Sequence, residues 1–286
     1  MTGTIPDTSW RVEDGIVREN RLVGSGLGDI GRMVVEAPAV ARAARPGHFV
    51  MVRTWDGEPL LPRAMAPLAY DAASGRMEIF YKVKGPGTRA MAGTLPGAAA
   101  HVTGPLGRPV IEGFYGRNVA LIGRGVGITP LLPLAKHIVA TGGSVSAYLS
   151  ARTRAYLFGL DEFASLGPVH AQVDDEAAED ELATNALATD ALREHCRGGG
   201  VDAAYVCGSW RLARAVEDIG ASEGFPGFVF LESKMGCGVG YCKGCPVGLR
   251  GGGGYRLVCV EGPVFPTREI QLTGPVHPLS EEPGVT

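Results

Sequence analysis

Six cysteines are the residues of this chain best suited to chemistry, and their positions sort them into two kinds. Cys196 and Cys207 stand apart, whereas Cys237, Cys242, Cys245 and Cys259 crowd into the last fifth of the chain. The four read C-x4-C-x2-C followed, after thirteen intervening residues, by the fourth thiol, which is the arrangement of plant-type [2Fe–2S] centres. A loop that brings three thiolates to one cluster must wrap it closely, with backbone N–H groups turned toward the sulfurs. Gly236, Gly238, Gly240 and Gly244 leave out the Cβ atoms that would obstruct this approach. Such N–H groups also offset the cluster's negative charge. Four thiolates equally satisfy a structural zinc, but zinc sites usually present two short knuckles, and here three ligands share one loop. A thioredoxin-type pair at Cys242 and Cys245 would have to follow a strand and open a helix, which the flanking glycines and Pro246 disfavour. Cys196 reads as structural, and Cys207 as either a buried strand-end thiol or a residue of a site.

A second constellation is the run Gly123-Arg124-Gly125-Val126-Gly127-Ile128-Thr129-Pro130, which follows an apolar strand ending at Ile122 and precedes a helical pattern. Glycines let a backbone approach a pyrophosphate, and a helix amino terminus supplies N–H groups and partial positive charge. The run departs from the strict G-x-G-x-x-G because position 128 is Ile, so a plain tight turn stays open beside the dinucleotide reading. No acidic residue closes the second strand to hold a ribose diol. Ser150, Arg152 and Arg154 stand there instead, which leaves NADPH open beside NADH. The histidines (His48, His101, His137, His170, His195 and His277) show no ligand or triad spacing, and no catalytic role is expected of them.

Elements that would position these residues follow from pattern. Over the first 110 residues, β-prone runs at 33–35, 48–52 and 77–83 alternate with turns at Pro46-Gly47, Asp56-Gly57, Ser74-Gly75 and Pro96-Gly97, which predicts an all-β antiparallel barrel or sandwich. Near Gly113 the character changes. Apolar strands at 118–122, 144–149, 169–173 and 203–207 alternate with helical patterns at 130–140 and 211–219, which predicts a doubly wound parallel sheet. The acidic, alanine-rich stretch 174–190 reads as a solvated helix or loop, and 251–254 as a flexible loop tip. The expected organisation is therefore multidomain β plus α/β: 1–112, 113–231 and a small cysteine lobe at 232–286.

Composition excludes several classes. The 286 residues are 45% hydrophobic and 20% charged, with 27 Lys+Arg against 30 Asp+Glu and a net charge of −3. That balance argues against nucleic-acid or anionic-membrane partners and against disorder. The apolar stretch 118–140 is broken by Arg124, Pro130, Pro133 and Lys136, and residues 1–10 lack a secretory pattern, so a cytoplasmic protein is expected.

The segments Leu61-Pro62-Arg63-Ala64-Met65-Ala66, Lys84-Gly85-Pro86-Gly87-Thr88, Gly104-Pro105-Leu106-Gly107, 123–130, Tyr205-Val206-Cys207-Gly208-Ser209, 235–245 and Cys259-Val260-Glu261-Gly262-Pro263-Val264-Phe265 together carry a resemblance. The chain resembles the electron-transfer subunits of NAD-dependent dihydroorotate dehydrogenases, within the ferredoxin reductase-like flavoproteins, over about residues 10–270. The resemblance implies an FAD-binding barrel, an NAD(P)-binding domain and a [2Fe–2S] lobe. It also implies electron flow from NAD(P)H through FAD and the cluster to a separate catalytic subunit, typically a flavin-bearing TIM barrel in a hetero-oligomer, and with it pyrimidine biosynthesis. By resemblance Arg63 pairs with the FAD pyrophosphate, Ala64, Met65 and Ala66 lie along the flavin, and Lys84, Gly85, Gly87 and Thr88 form the loop that holds the FAD phosphates. Gly123, Gly125, Gly127 and Thr129 match the nucleotide loop, and Cys207 with Gly208 the stretch beside the nicotinamide.

Four departures stand out. Ala66 replaces a usual Ser or Thr, Arg124 a usual glycine, Ser209 a common proline, and Asp174-Asp175-Glu176 keeps only the acidic part of a Thr-Asp-Asp-Gly motif. These suggest a diverged relative with another catalytic partner. Two alternatives stay open: a standalone reductase supplying an oxygenase or other redox partner, and a zinc-stapled module without redox activity.

Overall fold

Along Arg76–Lys82 burial alternates strictly, with Met77, Ile79 and Tyr81 at 0–2% exposure and the intervening side chains turned outward. This is the signature of a strand with one face on a core. The computed structural model describes residues 10–23, 30–110, 116–174, 181–197 and 200–272, with side chains of the 181–196 helix from 188 onward. The readings made for 1–9, for the boundary near Gly113 and for 175–180, Asp175 and Glu176 included, lie outside the described residues.

Seven strands build the first sheet: β1 (Arg11–Val23), β2 (Ile30–Glu36), β3 (Phe49–Arg53), β4 (Arg63–Met65), β5 (Ala69–Asp71), β6 (Arg76–Lys82) and β7 (Ala99–Leu106). All pair antiparallel in the order β4-β3-β7-β1-β2-β6-β5. β4 and β5 occupy opposite edges although only residues 66–68 separate them, and that linker spans at most roughly 14 Å. The sheet must therefore curl until its edges nearly meet. It is a half-barrel rather than a hydrogen-bonded ring, and the gap is bridged by the stretch that contains Ala66. The expectation of purely β structure here is corrected by two short helices, α1 (Pro38–Ala43) and α2 (Pro86–Ala92). Each opens on a proline, which reads as a break in sequence but presets φ for a helix's first turn.

The second sheet holds β8 (Asn118–Arg124), β9 (Ser144–Ala151), β10 (Val169–Val173), β11 (Ala203–Cys207) and β12 (Gly227–Phe230), parallel in the order β10-β9-β8-β11-β12. Helices α3 (Leu131–Ala140), α4 (Leu160–Leu166), α5 (Glu181–Cys196) and α6 (Trp210–Glu223) connect them. Val119, Ala120, Leu121 and Ile122 are all buried because helices cover both faces of the sheet. Ser209 has a local reason: it caps α6, its Oγ accepting the Leu212 N–H at 3.1 Å. The winding reverses between β8 and β11, so their carboxyl ends flank the crevice where ligands of such sheets bind.

After the cysteine loop come the hairpin β13 (Pro246–Gly248) and β14 (Tyr255–Leu257), the short helix α7 (Val258–Glu261) and β15 (Val264–Pro266). The last of these returns to pair antiparallel with β12. One continuous apolar core joins Phe49, Met51 and Leu106 of the half-barrel to Ile122 and Val206 of the parallel sheet, and to Val247 and Val258 of the lobe. No helix among the described residues is long and apolar enough to cross a membrane.

Between α1 and β3 the His48 Nδ1 accepts the Arg45 backbone N–H at 3.0 Å, and burial, then the Arg45 charge, pushes its pKa down to about 4. The unfolded chain binds a proton near pH 6.5 that the native ring refuses. Stability should therefore be complete above that pH and fall as pH drops toward 4, by on the order of 2 kcal/mol. Urea titrations of H48Q across this window should show a flatter profile; a slope equal to wild type would refute the assignment.

Candidate functional site

The four clustered cysteines come from three pieces of chain: a loop after β12 for Cys237 and Cys242, the residue before β13 for Cys245, and α7 for Cys259. Their sulfurs form two pairs. Cys237 and Cys242 Sγ lie 3.3 Å apart, and Cys245 and Cys259 Sγ 3.1 Å apart. Across the first pair the Cys242 N–H donates to Cys237 Sγ at 3.3 Å, and across the second the Cys259 N–H donates to Cys245 Sγ at 3.4 Å. Among the described residues no three Cys, His, Asp or Glu side chains converge as one ion would require. This is a two-by-two arrangement, not a single tetrahedron.

Backbone groups of Cys237 and Gly244, then the Cys237 thiol, lower the pKa of Cys242. In the buried pair, the Cys245–Cys259 hydrogen bond brings the Cys245 pKa down to about 6 and, with burial, pushes that of Cys259 up. Proximity thus shifts one sulfur of each pair toward the thiolate, the form that ligates metal. The first pair borders solvent, Cys242 being exposed, whereas Cys245 and Cys259 are buried.

The four glycines of this loop stand in different surroundings. A Cβ at Gly236 or Gly244 would lie 3.5 Å from Cys242 Sγ, an ordinary contact. Gly238 and Gly240 are the demanding positions: their φ values are +74° and +84°, and a Cβ would lie 2.7 Å from Met51 Cγ at the first and 2.6 Å from Val260 Cγ2 at the second. At Gly238 the contact is with the half-barrel, and the bareness of that position seats the cysteine loop directly on β3.

A cleft of about 1470 Å³ opens between the half-barrel and the parallel sheet. Ala64, Met65, Ala66, Lys84, Gly125, Gly127, Thr129, Cys207 and Gly208 line it, as the sequence placed them at a site. Arg63, Gly85, Gly87, Thr88 and Gly123 stand outside this lining. Gly123 instead packs beneath Ile128 and Leu131. Arg63 folds onto the start of α2, where a Cβ at Gly87 would lie 2.2 Å from its Cζ, so the bare glycine lets the guanidinium rest in this position. Its Nη1 donates to the Leu61 and Pro62 carbonyls at 2.6 and 3.2 Å, and its Cζ stands 5.6 Å from the Trp55 ring centroid. Thr88 Oγ1 accepts the N–H groups of Lys84 and Gly85 at 2.9 and 3.1 Å, which closes the 84–88 loop on itself. A guanidinium resting on the positive end of a helix, next to Lys84 at the cleft wall, is an arrangement that an anion would complete.

At the opposite wall Thr129 Oγ1 donates to the Val126 carbonyl at 2.8 Å and so holds the turn after β8. Cys207 ends β11, and burial, then the Glu232 charge, raises its thiol pKa, so the group is neutral near pH 7. Residues that the sequence did not assign to the site also face the cleft, among them Phe80, Tyr156, Phe230, Glu232 and Met235. The signal for Phe80 was its alternation along β6 opposite the buried Ile79 and Tyr81. Glu232 and Met235 had only their place just before Cys237.

The two halves of the site are adjacent. Gly238 rests on Met51, Met51 faces Ala64 across the β3–β4 ladder, and Ala64 lines the cleft. One ladder spacing plus one contact puts the cysteine loop roughly 10 Å from the cleft wall. The site's residues are similar in order to those of characterised proteins. Residues 232–271 match the iron–sulfur cluster binding domain of dihydroorotate dehydrogenase B. Over 250 residues the chain is 32% identical to the dihydroorotate dehydrogenase B (NAD(+)) electron transfer subunit of Bacillus cereus (strain Q1), covering 85% of this chain and 93% of that one. The subunit from Bacillus anthracis (strain CDC 684 / NRRL 3495) shows the same identity and coverage. Among solved structures, that of an NADH-dependent reduced ferredoxin-NADP oxidoreductase, described for flavin-based electron bifurcation, superposes with a TM-score of 0.77 at 27% identity, over 95% of this chain and 92% of that one. Ferredoxin-NADP+ reductase from Plasmodium falciparum shares the fold, with a TM-score of 0.60 at 14% identity, over 74% of this chain and 90% of that one.

Proposed function

This chain belongs to the family of dihydroorotate dehydrogenase B electron transfer subunits, and from that premise we propose that it passes electrons from NAD(P)H through FAD and a [2Fe–2S] cluster to a catalytic partner subunit. When bound, FAD supplies the conversion between two-electron hydride transfer and single-electron steps, and the cluster a one-electron relay. The chain's own residues fit both groups. The two thiol pairs suit two irons, each held by two thiolates, better than the one ion of a structural zinc. Arg63, admitted by Gly87, and Lys84 form a cationic shelf for the FAD pyrophosphate, while Ala64, Met65 and Ala66 form the wall for the flavin ring. Ala66 offers that ring no side-chain hydroxyl. Gly125, Gly127 and Thr129 at the head of β8, with Cys207 and Gly208 at the end of β11, frame the nucleotide, and the neutral Cys207 thiol presents no charge to a nicotinamide.

The observation that carries this reading is the seat of Gly238 on Met51, which sets the cysteine loop one strand from the cleft. The functional division is read as 1–112 for flavin, 113–231 for nucleotide and 232–286 for the cluster. β15 ties the third segment back into the second. The partner is read as a flavin-bearing TIM barrel that oxidises dihydroorotate in the cytoplasm. Similarity across 95% of the chain to the reduced ferredoxin-NADP oxidoreductase structure supports a second reading, in which the partner acts on another substrate.

Anaerobic addition of NADH to the purified protein should bleach both flavin and iron–sulfur absorbance, and a flavoenzyme should copurify. Dihydroorotate-dependent reduction of NAD+ by the complex favours the first partner, and its absence the second. A colourless protein that holds zinc would end both.

A further inference from the structure

Resting on the reading of the cleft as a pyridine-nucleotide site, we propose that Arg124 is a pyrophosphate-binding residue particular to this chain, and that Asp174 holds its guanidinium in readiness and competes with the incoming phosphates. Arg124 closes β8 immediately before the turn Gly125–Ile128, and both Arg124 and Asp174 line the cleft. Asp174 follows β10, two strands from β8, so the arginine side chain reaches across the carboxyl end of β9 to meet it. There Arg152, Thr153 and Arg154 leave β9 and line the same wall. Three guanidinium-bearing residues thus share this wall of the cleft, and the Asp174 carboxylate beside them is engaged by Arg124.

The pair is held but not clamped. Nη2–Oδ2 is 3.0 Å, while the contacts of Nη1 and Nη2 with Oδ1 are both 3.3 Å. Charge-assisted guanidinium–carboxylate bonds in a tight fork run nearer 2.7–2.9 Å. Among the described residues the Arg124 Nε–H has no partner. Both side chains are 14% exposed, which reduces screening without sealing them from the cleft. The stem packs against Gly208, where a Cβ would lie 2.9 Å from Arg124 Cβ. A planar fork beside a glycine turn suits a diphosphate. The usual glycine at this position offers only backbone N–H groups, so the arginine adds charge where the fold otherwise relies on the helix terminus.

The test is calorimetric titration of the flavin-loaded protein with ADP-ribose, which carries the pyrophosphate but no nicotinamide. R124G should bind roughly tenfold more weakly, the loss of one charge-assisted contact, with R124K intermediate. D174N should bind several-fold more tightly, because it frees the guanidinium and removes a repelling carboxylate. Opposite signs for the two variants distinguish a binding residue and its competitor from a structural ion pair, which would weaken binding alike from either side. Unchanged or tighter binding by R124G, or weaker binding by D174N, overturns the inference and leaves the nucleotide reading standing. Failure of the wild type to bind ADP-ribose overturns that reading and the inference with it.

Discussion

C245S should lose the iron–sulfur absorbance and deliver electrons from NADH to the partner at least roughly 100-fold more slowly, since changes that only orient metal ligands already cost 10–100-fold. Cys245 is the severe case because it is buried at 2% exposure and pairs with the equally buried Cys259. A serine hydroxyl there is a poor thiolate substitute, and no exposed side chain can reach in to replace it. Reduction of bound flavin by NADH should persist, because the cleft-lining residues are untouched. C196S serves as the control: Cys196 ends α5 in the core, far in sequence from the loop, and its replacement should leave the absorbance intact. Retention of full iron–sulfur absorbance by C245S would remove the residue from the ligand set.

R63A should weaken FAD binding by roughly 100- to 10,000-fold, the worth of two charge-assisted hydrogen bonds at about 1.5–3 kcal/mol each. The guanidinium is tied to the Leu61 and Pro62 carbonyls and stands over Trp55, so in the folded protein it is positioned before any anion arrives. G87A tests the same shelf without touching the charge. Its methyl would lie within 2.2 Å of the present Cζ position and displace the guanidinium, so flavin affinity should fall by a smaller factor. Flavin retained through gel filtration at wild-type stoichiometry in R63A would place the pyrophosphate elsewhere.

Much of this was legible from local pattern. The continuous apolar run at 119–122 had to be a two-sided buried strand, and it is the central β8. The cysteine spacing announced a metal loop whichever metal it held. What escaped was set by long-range contact. β1 is a thirteen-residue strand of largely exposed, charged residues, held by its pairing with β2 and β7 rather than by any burial pattern of its own. β4 and β5 are three-residue strands at opposite edges, and nothing in their sequence tells that the sheet curls. The glycines of the cysteine loop were read as making room for a cluster. The reason differs at Gly238, where the obstacle is Met51, a residue nearly two hundred positions away. The Arg124–Asp174 pair joins two residues that appeared in sequence only as separate departures from a motif, and the parallel order of β8, β9 and β10 brings them together.

Iron-edge anomalous diffraction from crystals of the cluster-loaded protein tests the central claim most directly. The account predicts two iron peaks, one beside the Cys237 and Cys242 sulfurs and one beside those of Cys245 and Cys259, on the face of β3 that carries Met51. A single metal peak shared by all four sulfurs, or iron bound away from them, would contradict it.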